Sequence, residues 1–357
     1  MKSSSLFKTA LFSLTAMAAL TQTAFATTAT QGSEIVKIEA GKIYSEAHRQ
    51  SIGKYMEKVR YDNNGIEMVA NLYFPEHFDK SKKYPVIVVG HPGGGVKEQA
   101  SGLYAKLLAE KGFIAIAFDA SHQGESGGLP RHLEDPDKRT GDYIATVDYL
   151  TTLPYVDSDK IGMLGICAGG GYSTAATLRD PRVKALTTIS AYHVSNRNWD
   201  GSAISAENKR TFLQNVAAQR TAEANGAELK NIDVLEKPNA GTPQDLAEAY
   251  DYYLTERGYF PTAQNKFLFS GMGKFMYVDR IAGIEDLLTQ PLLVIAGDAA
   301  GSRWQSDLIF ERAKSVKDKE FMLIKGATHM TMYDNLDHIN QALDKAVPFF
   351  HKHLQVK

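Results

Sequence analysis

The strongest constraint on the fold is a short turn that places the only cysteine of the chain, Cys167, between Gly165 and Gly169. Residues 160–164 before it have the apolar character of a buried strand, and residues 170–178 after it are typical of a helix that opens on small side chains. A strand, a sharp turn and a helix present one side chain at the edge of a sheet, above a helix N-terminus. Glycines two residues to either side relieve crowding in such a turn. The pattern therefore predicts a catalytic nucleophile, with sulfur in place of the usual oxygen.

The first 26 residues have the features of a secretory signal peptide. Lys2 and Lys8 supply positive charge, residues 9–20 form a short apolar run, and residues 24–26 are a small-x-small cleavage site. The apolar run is too short to span a bilayer comfortably, and we expect no membrane span after cleavage. The sequence thus predicts a periplasmic or secreted protein.

The composition limits the kinds of molecule that this protein is expected to bind. Forty basic residues nearly balance 41 acidic ones, which gives a net charge of −1. Such a balance predicts neither a nucleic-acid partner nor an anionic-membrane partner. A single cysteine excludes an internal disulfide. The sequence contains no metal-ligand spacing and no phosphate-cradling glycine loop, so we expect a small-molecule substrate and no cofactor or metal. The oligomeric state does not follow from the sequence.

Apolar runs that alternate with amphipathic helices predict a mostly parallel sheet covered by helices on both faces. An antiparallel pair precedes the sheet, and Asn64-Gly65 between its two strands is a strong hairpin signal. The predicted strands of the pair and the sheet lie at 55–61, 66–74, 85–89, 113–118, 160–164, 183–189, 291–296 and 321–324.

A long interruption of this rhythm predicts an inserted cap. Residues 192–289 are helical in pattern and rich in aromatic side chains. Because they lie between two strands of the sheet, we expect them to rise above its C-terminal edge, with most rings in the cap's own core and a few lining a pocket. The predicted division is then a polar lead-in at 27–54, a core at 55–191 and 290–357, and the cap.

Asp298 and His329 are the predicted partners of Cys167. A sulfur nucleophile needs a base to take its proton and an acid to orient that base. Each of the two residues directly follows an apolar strand, which places both at the C-terminal edge where α/β sites form. Asp200, beyond an earlier strand, is the alternative acid.

The oxyanion hole is predicted at Gly93 or Gly94 together with Ala168. Acyl transfer builds negative charge on a carbonyl oxygen, which preorganised backbone N–H groups stabilise. The two glycines follow the first strand of the parallel sheet, and Ala168 follows the nucleophile. His91, at the start of the glycine loop, is expected to support that loop rather than to transfer protons.

Several other chemically capable residues are interpreted as structural. Ser126 also lies in a G-x-S-x-G sequence. The residues that follow it are Gly-Gly-Leu-Pro, which cannot begin a helix. Lys97 and Glu98 are interpreted as a solvated surface pair. The histidines expected in polar loops or at the chain end are His122, His193, His351 and His353.

These motifs resemble the α/β-hydrolase superfamily, most closely its dienelactone-hydrolase-like branch. The resemblance covers about residues 55–354 without much of the cap, and it rests on residues 91–95, residues 165–171, Asp298 and His329. It implies an α/β-hydrolase fold and a Cys-His-Asp triad. The predicted export and the large aromatic cap depart from that branch, so its dienelactone substrate is not carried over.

The expected function is that of an exported hydrolase of small carboxylic esters, lactones or thioesters, acting through a covalent acyl-cysteine intermediate. Two alternatives stay open. One is an acyltransferase of the polyketide-transferase type, since a thioester intermediate reacts with acceptors other than water. The other is a non-catalytic binding protein built on a hydrolase scaffold.

Overall fold

Ten strands form two sheets in the computed structural model, which describes residues 55–356. The predicted signal peptide and lead-in lie outside the described residues. The strands are β1 (Met56–Asn63), β2 (Ile66–Tyr73), β3 (Tyr84–Gly90), β4 (Ile114–Phe118), β5 (Val156–Ile166), β6 (Val183–Ile189), β7 (Asn231–Asp233), β8 (Lys266–Leu268), β9 (Leu292–Gly297) and β10 (Lys319–Ile324).

Ten α-helices accompany the strands within the described residues, and none of them is long and apolar enough to cross a membrane. They are α1 (Ala100–Ala109), α2 (Pro136–Thr151), α3 (Ala168–Arg179), α4 (Ala206–Ala224), α5 (Gln244–Leu254), α6 (Met272–Tyr277), α7 (Ile284–Leu287), α8 (Arg303–Arg312), α9 (Thr331–Asp334) and α10 (Leu336–His353).

The larger sheet has eight strands in the order β1-β2-β4-β3-β5-β6-β9-β10. The first two strands form the expected antiparallel hairpin, in which Met56 pairs with Tyr73 and Asn63 with Ile66. Asn64 and Gly65 join them with φ angles of 51° and 85°, which these two residue types tolerate. β2 is antiparallel to β4, and every later pairing is parallel. The predicted fold class, an α/β-hydrolase fold with a mostly parallel sheet, is confirmed.

Helices cover both faces of the sheet because most residues of its central strands are buried. Every residue of β4 is buried, as the continuous apolar run predicted. Helix α10 packs closely on the sheet: a Cβ at Gly162 of β5 would lie 2.9 Å from the ring of Phe350. Burying a side chain such as Phe350 stabilises the fold by about 1.5–3 kcal/mol. The parallel strands therefore end together at one edge, where the loops that carry the site begin.

Between β6 and β9 the chain leaves the sheet for about 100 residues. This inserted segment contains helices α4 to α7 and the small antiparallel sheet of β7 and β8. Most of its large rings pack inside the protein, and those buried are Tyr192, Trp199, Phe212, Tyr252, Phe267, Phe269 and Phe275. Helix α5 carries the rings and carboxylates that reach the site described below.

Candidate active site

Cys167 occupies a sharp turn between β5 and α3. Its backbone has φ 54° and ψ −122°, a conformation that costs a non-glycine residue about 1–3 kcal/mol. Backbone hydrogen bonds hold the turn: the Cys167 N–H donates to Ile189 at 3.0 Å, and its carbonyl accepts from Gly170 and Tyr192, each at 2.8 Å. The thiol is 3% exposed. The turn thus holds one buried sulfur at the N-terminus of a helix.

The glycines around Cys167 allow α3 to lie unusually close to its neighbours. A Cβ at Gly165 would overlap the carbonyl of Gly169, and one at Gly169 would lie 2.5 Å from the carbonyl of Gly90. A Cβ at Gly171 would lie 2.8 Å from the Cβ of His193. Only glycine fits at these positions without movement of the backbone.

His329 lies in the loop after β10 and lines the same pocket as Cys167, and each of the two side chains shifts the pKa of the other. Its ring is 1% exposed. Nδ1 lies 2.6 Å from the hydroxyl of Ser302, and Nε2 lies 3.1 Å from the hydroxyl of Tyr333. The indole of Trp199 packs edge-to-face on the ring, with centroids 5.0 Å apart. The imidazole is therefore fixed on several sides.

Electrostatics favour a charged Cys167–His329 pair. Burial pushes the pKa of the thiol up, but the His329 charge and the hydrogen bonds from His329, Tyr333 and the Ala168 N–H bring it below its ordinary value. Burial lowers the pKa of His329, yet the thiolate and the carboxylates of Asp245 and Glu248 raise it above its ordinary value. The lowered pKa of Cys167 and the raised pKa of His329 both favour a thiolate beside an imidazolium.

The structure does not bring Asp298 to His329, which corrects the predicted triad. The Asp298 side chain is exposed, and its Oδ1 accepts from the Gly326 N–H at 2.7 Å. Nδ1 of His329 faces Ser302 instead. Asp298 thus links two loops at the strand ends. The alternative acid, Asp200, is also exposed and accepts from the Ser202 N–H.

The carboxylate that does lie near His329 comes from the inserted segment. Asp245, in the first turn of α5, is 4% exposed. Its Oδ1 accepts from the His329 N–H at 3.2 Å, while Oδ2 accepts from the Trp199 indole at 2.6 Å and from the Gly301 N–H at 2.7 Å. One turn later, Glu248 accepts from the Thr328 hydroxyl at 2.5 Å. Helix α5 therefore holds the histidine loop in place.

The predicted oxyanion residues lie around the sulfur. Gly93 and Gly94 line the same pocket as Cys167, and Gly94 has φ 71°. Within residues 55–356, neither glycine N–H has a hydrogen-bond acceptor. The Ala168 N–H hydrogen-bonds Cys167. The glycine loop and the Ala168 N–H therefore border the part of the pocket that holds the thiol.

His91 supports the glycine loop from behind. The Ala120 N–H donates to its Nε2 at 3.1 Å, which leaves the proton on Nδ1 to donate to the Pro92 carbonyl at 2.6 Å. Burial, followed by the charge of Arg139, lowers the pKa of His91 well below its ordinary value. A neutral, fully engaged imidazole is suited to support the loop, as the sequence suggested.

A pocket of about 450 Å³, part of it open to solvent, lies between the sheet edge and the inserted segment. Cys167, His329 and Tyr333 form its reactive wall. The rest is mostly apolar, and no carboxylate belongs to the described lining: Pro92, Gly93, Gly94, Trp199, Val234, Leu235, Ala249, Tyr253, Ala263, Asn265 and Met330. Such a surface suits a neutral, apolar group.

Ser126 has a structural position. Its hydroxyl donates to the Asp119 carbonyl at 2.7 Å and accepts from the Val69 N–H at 2.9 Å, and it is 2% exposed. A hydroxyl bound in this way to two backbone groups is not available as a nucleophile. The prediction that the second G-x-S-x-G sequence is not the active turn agrees with these contacts.

Lys97 is not on the surface, which corrects its interpretation as part of a solvated pair. Its side chain is fully buried, and Nζ lies 2.7 Å from Glu98, 2.8 Å from Asp119 and 2.5 Å from Glu125. Burial lowers its pKa, but these carboxylates raise it above the ordinary value. The cluster ties the segment after the glycine loop to the loop after β4.

The other four histidines considered in the sequence have local contacts away from the reactive wall. Nε2 of His193 lies 3.0 Å from the Gln305 carbonyl, and burial lowers the pKa of His193 to about 4. Nδ1 of His122 lies 2.9 Å from the Pro130 carbonyl. His351 packs against Phe113, and His353 lies 3.4 Å from Asp318. In the described part of the chain, no group of three or more potential ligands is arranged to hold a metal ion.

Sequence reasoning missed Ser302, Asp245 and Tyr333. Ser302 lies four residues beyond the predicted acid, in the same loop. Tyr333 lies four residues beyond His329, a spacing that places two side chains on one side of a helical turn. Asp245 gave no local signal, because its position depends on how the inserted segment packs.

Comparison with known proteins shows relatives that match most of the chain. The chain is 41% identical over 304 residues to YcjY of Escherichia coli K12, covering 83% of this chain and 99% of YcjY. It is 37% identical over 304 residues to PA2218 of Pseudomonas aeruginosa, covering 83% and 80%. The PA2218 crystal structure superposes with a TM-score of 0.80 at 33% identity, covering 92% of this chain and 100% of that one.

Shorter similarities reach two fungal enzymes. The chain is 30% identical over 151 residues to acyltransferase drtE of Aspergillus calidoustus, covering 42% of this chain and 47% of drtE. It is 29% identical over 126 residues to thiohydrolase aneE of Aspergillus aculeatus, covering 35% and 38%. These similarities and the fold support hydrolysis or acyl transfer.

A family model extends over most of the fold described above. The model of the X-Pro dipeptidyl-peptidase (S15) family matches residues 64–269, from the hairpin turn into the inserted segment. The finer assignment to the dienelactone-hydrolase-like branch stays a prediction. The chain belongs to the X-Pro dipeptidyl-peptidase (S15) family, within the α/β-hydrolase superfamily.

Proposed function

We propose that this protein hydrolyses small carboxylic esters, lactones or thioesters, with Cys167 as nucleophile and His329 as general base and acid. The observation that carries the proposal is that Cys167 and His329 lie together on the wall of an apolar pocket, where each shifts the pKa of the other toward the charged form. A thiol that is paired with a base and placed at a helix N-terminus is activated for attack on a carbonyl carbon.

In the first step, the Cys167 sulfur forms a bond to the carbonyl carbon, and the carbonyl π electrons move onto oxygen. The N–H groups of Ala168 and of Gly93 or Gly94 would stabilise that oxygen. The C–O or C–S bond to the leaving group then breaks, and the leaving group takes a proton from Nε2 of His329. Water, deprotonated by His329, attacks the resulting thioester, which releases the acid and restores the thiol.

Ser302 and Asp245 would do the work that the sequence assigned to Asp298. A proton on Nδ1 of His329 has the Ser302 hydroxyl as its acceptor at 2.6 Å. Asp245 supplies a buried negative charge and holds the His329 backbone. Together they would orient the ring and stabilise the imidazolium that forms when Cys167 ionises.

The pocket supports a neutral acyl group better than a peptide with a free amino terminus. Removal of an N-terminal dipeptide requires recognition of an ammonium group, for which a carboxylate is the natural partner. The described lining contains none. Aliphatic and aromatic side chains form most of the surface instead. We therefore favour an ester, lactone or thioester over an X-Pro peptide.

Acyl transfer is the second candidate, because the chain resembles acyltransferase drtE over 42% of its length. Both reactions share the acyl-cysteine intermediate and differ only in the acceptor that enters afterwards. Adding small alcohols, amines or thiols to the assay separates them, because a transferase yields the acylated acceptor in preference to the free acid.

We also propose that the protein is exported. The support is the sequence of its first 26 residues, with two lysines, an apolar run and a small-x-small site. Cell fractionation tests this proposal when combined with N-terminal sequencing. A mature protein that begins at residue 27 outside the cytoplasm supports it, and an uncleaved cytoplasmic protein contradicts it.

Intact-protein mass spectrometry tests the nucleophile. The protein is mixed with short p-nitrophenyl esters and acyl thioesters and quenched in acid. We expect an acyl adduct on Cys167, and a fall in turnover of at least about 1,000-fold in Cys167→Ala. Ser126→Ala is the matched control and should keep both adduct and turnover. Unchanged turnover in Cys167→Ala overturns the mechanism, and absence of both adduct and turnover on every substrate favours a binding protein.

A further inference from the structure

Tyr333 is a third side chain at the reacting atoms. Its hydroxyl lies 3.1 Å from Nε2 of His329, and its interaction with the Cys167 thiol lowers the pKa of that thiol. The side chain is 2% exposed and lines the pocket beside both residues. The steps proposed above use only Cys167, His329 and backbone donors, so they leave this hydroxyl without a role.

The local fold fixes where that hydroxyl lies. Thr328 and Thr331 cap the turn reciprocally: the Thr328 N–H donates to the Thr331 hydroxyl at 2.9 Å, and the Thr331 N–H donates to the Thr328 hydroxyl at 3.2 Å. The ring of Tyr333 packs edge-to-face on Tyr252 and Tyr253, with centroids 5.3 and 6.3 Å away. Both of these rings belong to α5, so packing against that helix helps to hold the phenol in the pocket that contains Cys167.

We propose that Tyr333 is a catalytic residue whose hydroxyl accepts a hydrogen bond from Nε2–H of the His329 imidazolium and donates its own hydrogen to the Cys167 thiolate. The proposal rests on the proposed nucleophile but not on the identity of the acyl group. The O–H bond of Tyr333 stays intact. When the sulfur electron pair forms the bond to carbon, the sulfur ceases to be an anion and the hydroxyl loses its acceptor.

A donor is needed here because the thiolate is buried. The groups that face Cys167 are His329 from the loop after β10, Tyr333 from α9, Tyr253 from α5 and Tyr192 from the loop after β6. Among these four, His329 is the one cation. Burial, reinforced by the thiolate, raises the pKa of Tyr333 well above its ordinary value. The phenol therefore keeps its proton and acts as a donor, not as a base.

Alkylation by iodoacetamide at a series of pH values tests the proposal, since Cys167 is the only cysteine in the chain. In Tyr333→Phe, the pH at which the alkylation rate reaches half of its plateau should rise by about one unit. At low pH this corresponds to a tenfold loss of thiolate. The plateau at high pH should stay equal or rise slightly, because a less stabilised thiolate is a better nucleophile. An unchanged midpoint, or one constant loss of rate at every pH, overturns the proposal.

Tyr104→Phe is the matched control. It also removes a fully buried phenol oxygen, which donates at 3.0 Å to the carbonyl of Met332, the residue before Tyr333. Its alkylation midpoint should stay that of the wild type. If Tyr333→Phe does not fold, 3-fluorotyrosine at position 333 keeps the shape and strengthens the donor, so the midpoint should move down instead. A midpoint unaffected by fluorination contradicts the proposal.

Alkylation does not require turnover, so the two proposals fail separately. A shifted midpoint in a protein that turns over no ester or thioester leaves the role of Tyr333 intact and removes the proposed function. Turnover through an acyl-cysteine together with an unshifted midpoint supports the proposed function and removes the role of Tyr333.

Discussion

The hydroxyl of Ser302 lies 2.6 Å from Nδ1 of His329, at the ring atom where the sequence predicted a carboxylate. Asp298, the predicted acid, is exposed and binds the Gly326 N–H instead. The negative charges that raise the pKa of His329 are the Cys167 thiolate first and then the carboxylates of Asp245 and Glu248 on α5. Asp245 contacts the backbone N–H of His329 and not a ring nitrogen. Orientation and charge, which one aspartate supplies in a Ser-His-Asp triad, are divided here between a sheet loop and the inserted segment.

Ser302→Ala and Asp298→Ala form a matched pair. Loss of the Ser302 hydroxyl leaves Nδ1 of His329 unpaired in a buried site, which costs about 1–3 kcal/mol. We expect kcat/KM for a p-nitrophenyl ester to fall about 10- to 100-fold. Asp298→Ala should stay within about twofold, because its carboxylate faces solvent. The reverse ranking would restore the predicted triad.

Asp245→Asn should move the alkaline limb of the pH–activity profile to lower pH. The Asp245 carboxylate raises the pKa of His329, so its loss lowers that pKa. The imidazolium then gives up its proton at lower pH, and the thiolate–imidazolium pair is lost earlier as the pH rises. The profile of kcat/KM between pH 5 and pH 10 measures the shift. Asp200→Asn, an exposed aspartate of the same inserted segment, is the control. An alkaline limb that stays in place would show that Asp245 acts through structure alone.

Ala249→Leu should shorten the acyl group that the enzyme accepts. Ala249 is 5% exposed and lines the pocket from α5, so three added carbons reduce its volume. We expect KM to rise with each added carbon of the acyl chain, while acetyl esters are turned over nearly as in the wild type. Ala247→Leu, on the same helix but outside the pocket lining, is the control. Equal effects on acetyl and octanoyl esters would indicate a disturbed helix, not a filled pocket.

Two glycine substitutions should have opposite effects on stability. Gly169→Ala places a methyl group 2.5 Å from the Gly90 carbonyl and 2.9 Å from the His91 carbonyl, and relief requires α3 to move. We expect a loss of about 1–3 kcal/mol. Gly141→Ala, inside α2 with open space around it, should gain about 0.5–1 kcal/mol. Thermal unfolding followed by circular dichroism measures both. A Gly169→Ala melting temperature equal to that of the wild type would contradict the close approach.

The secondary structure was predictable because its signals are local. The eight strands of the large sheet follow from apolar runs and from Asn64-Gly65, and Cys167 and His329 follow from their places at strand ends. Position directly after a strand did not predict the role of Asp298, because it gives the place of a residue in the sheet but not the direction of its side chain. Lys97 was misplaced because two of its three carboxylate partners, Asp119 and Glu125, are brought to it by tertiary packing. Asp245, 84 positions before His329, had no signal in the sequence to link the two.

Helix α5 has two structural roles that bear on how a substrate enters the pocket. It forms part of the pocket wall through Ala249 and Tyr253, and it braces the loop of His329 through Asp245 and Glu248. Swinging the helix aside to admit a substrate would release the base from its support. We therefore expect a substrate to enter past side chains while the backbone of α5 stays in place, so that the width of that passage limits which molecules reach Cys167.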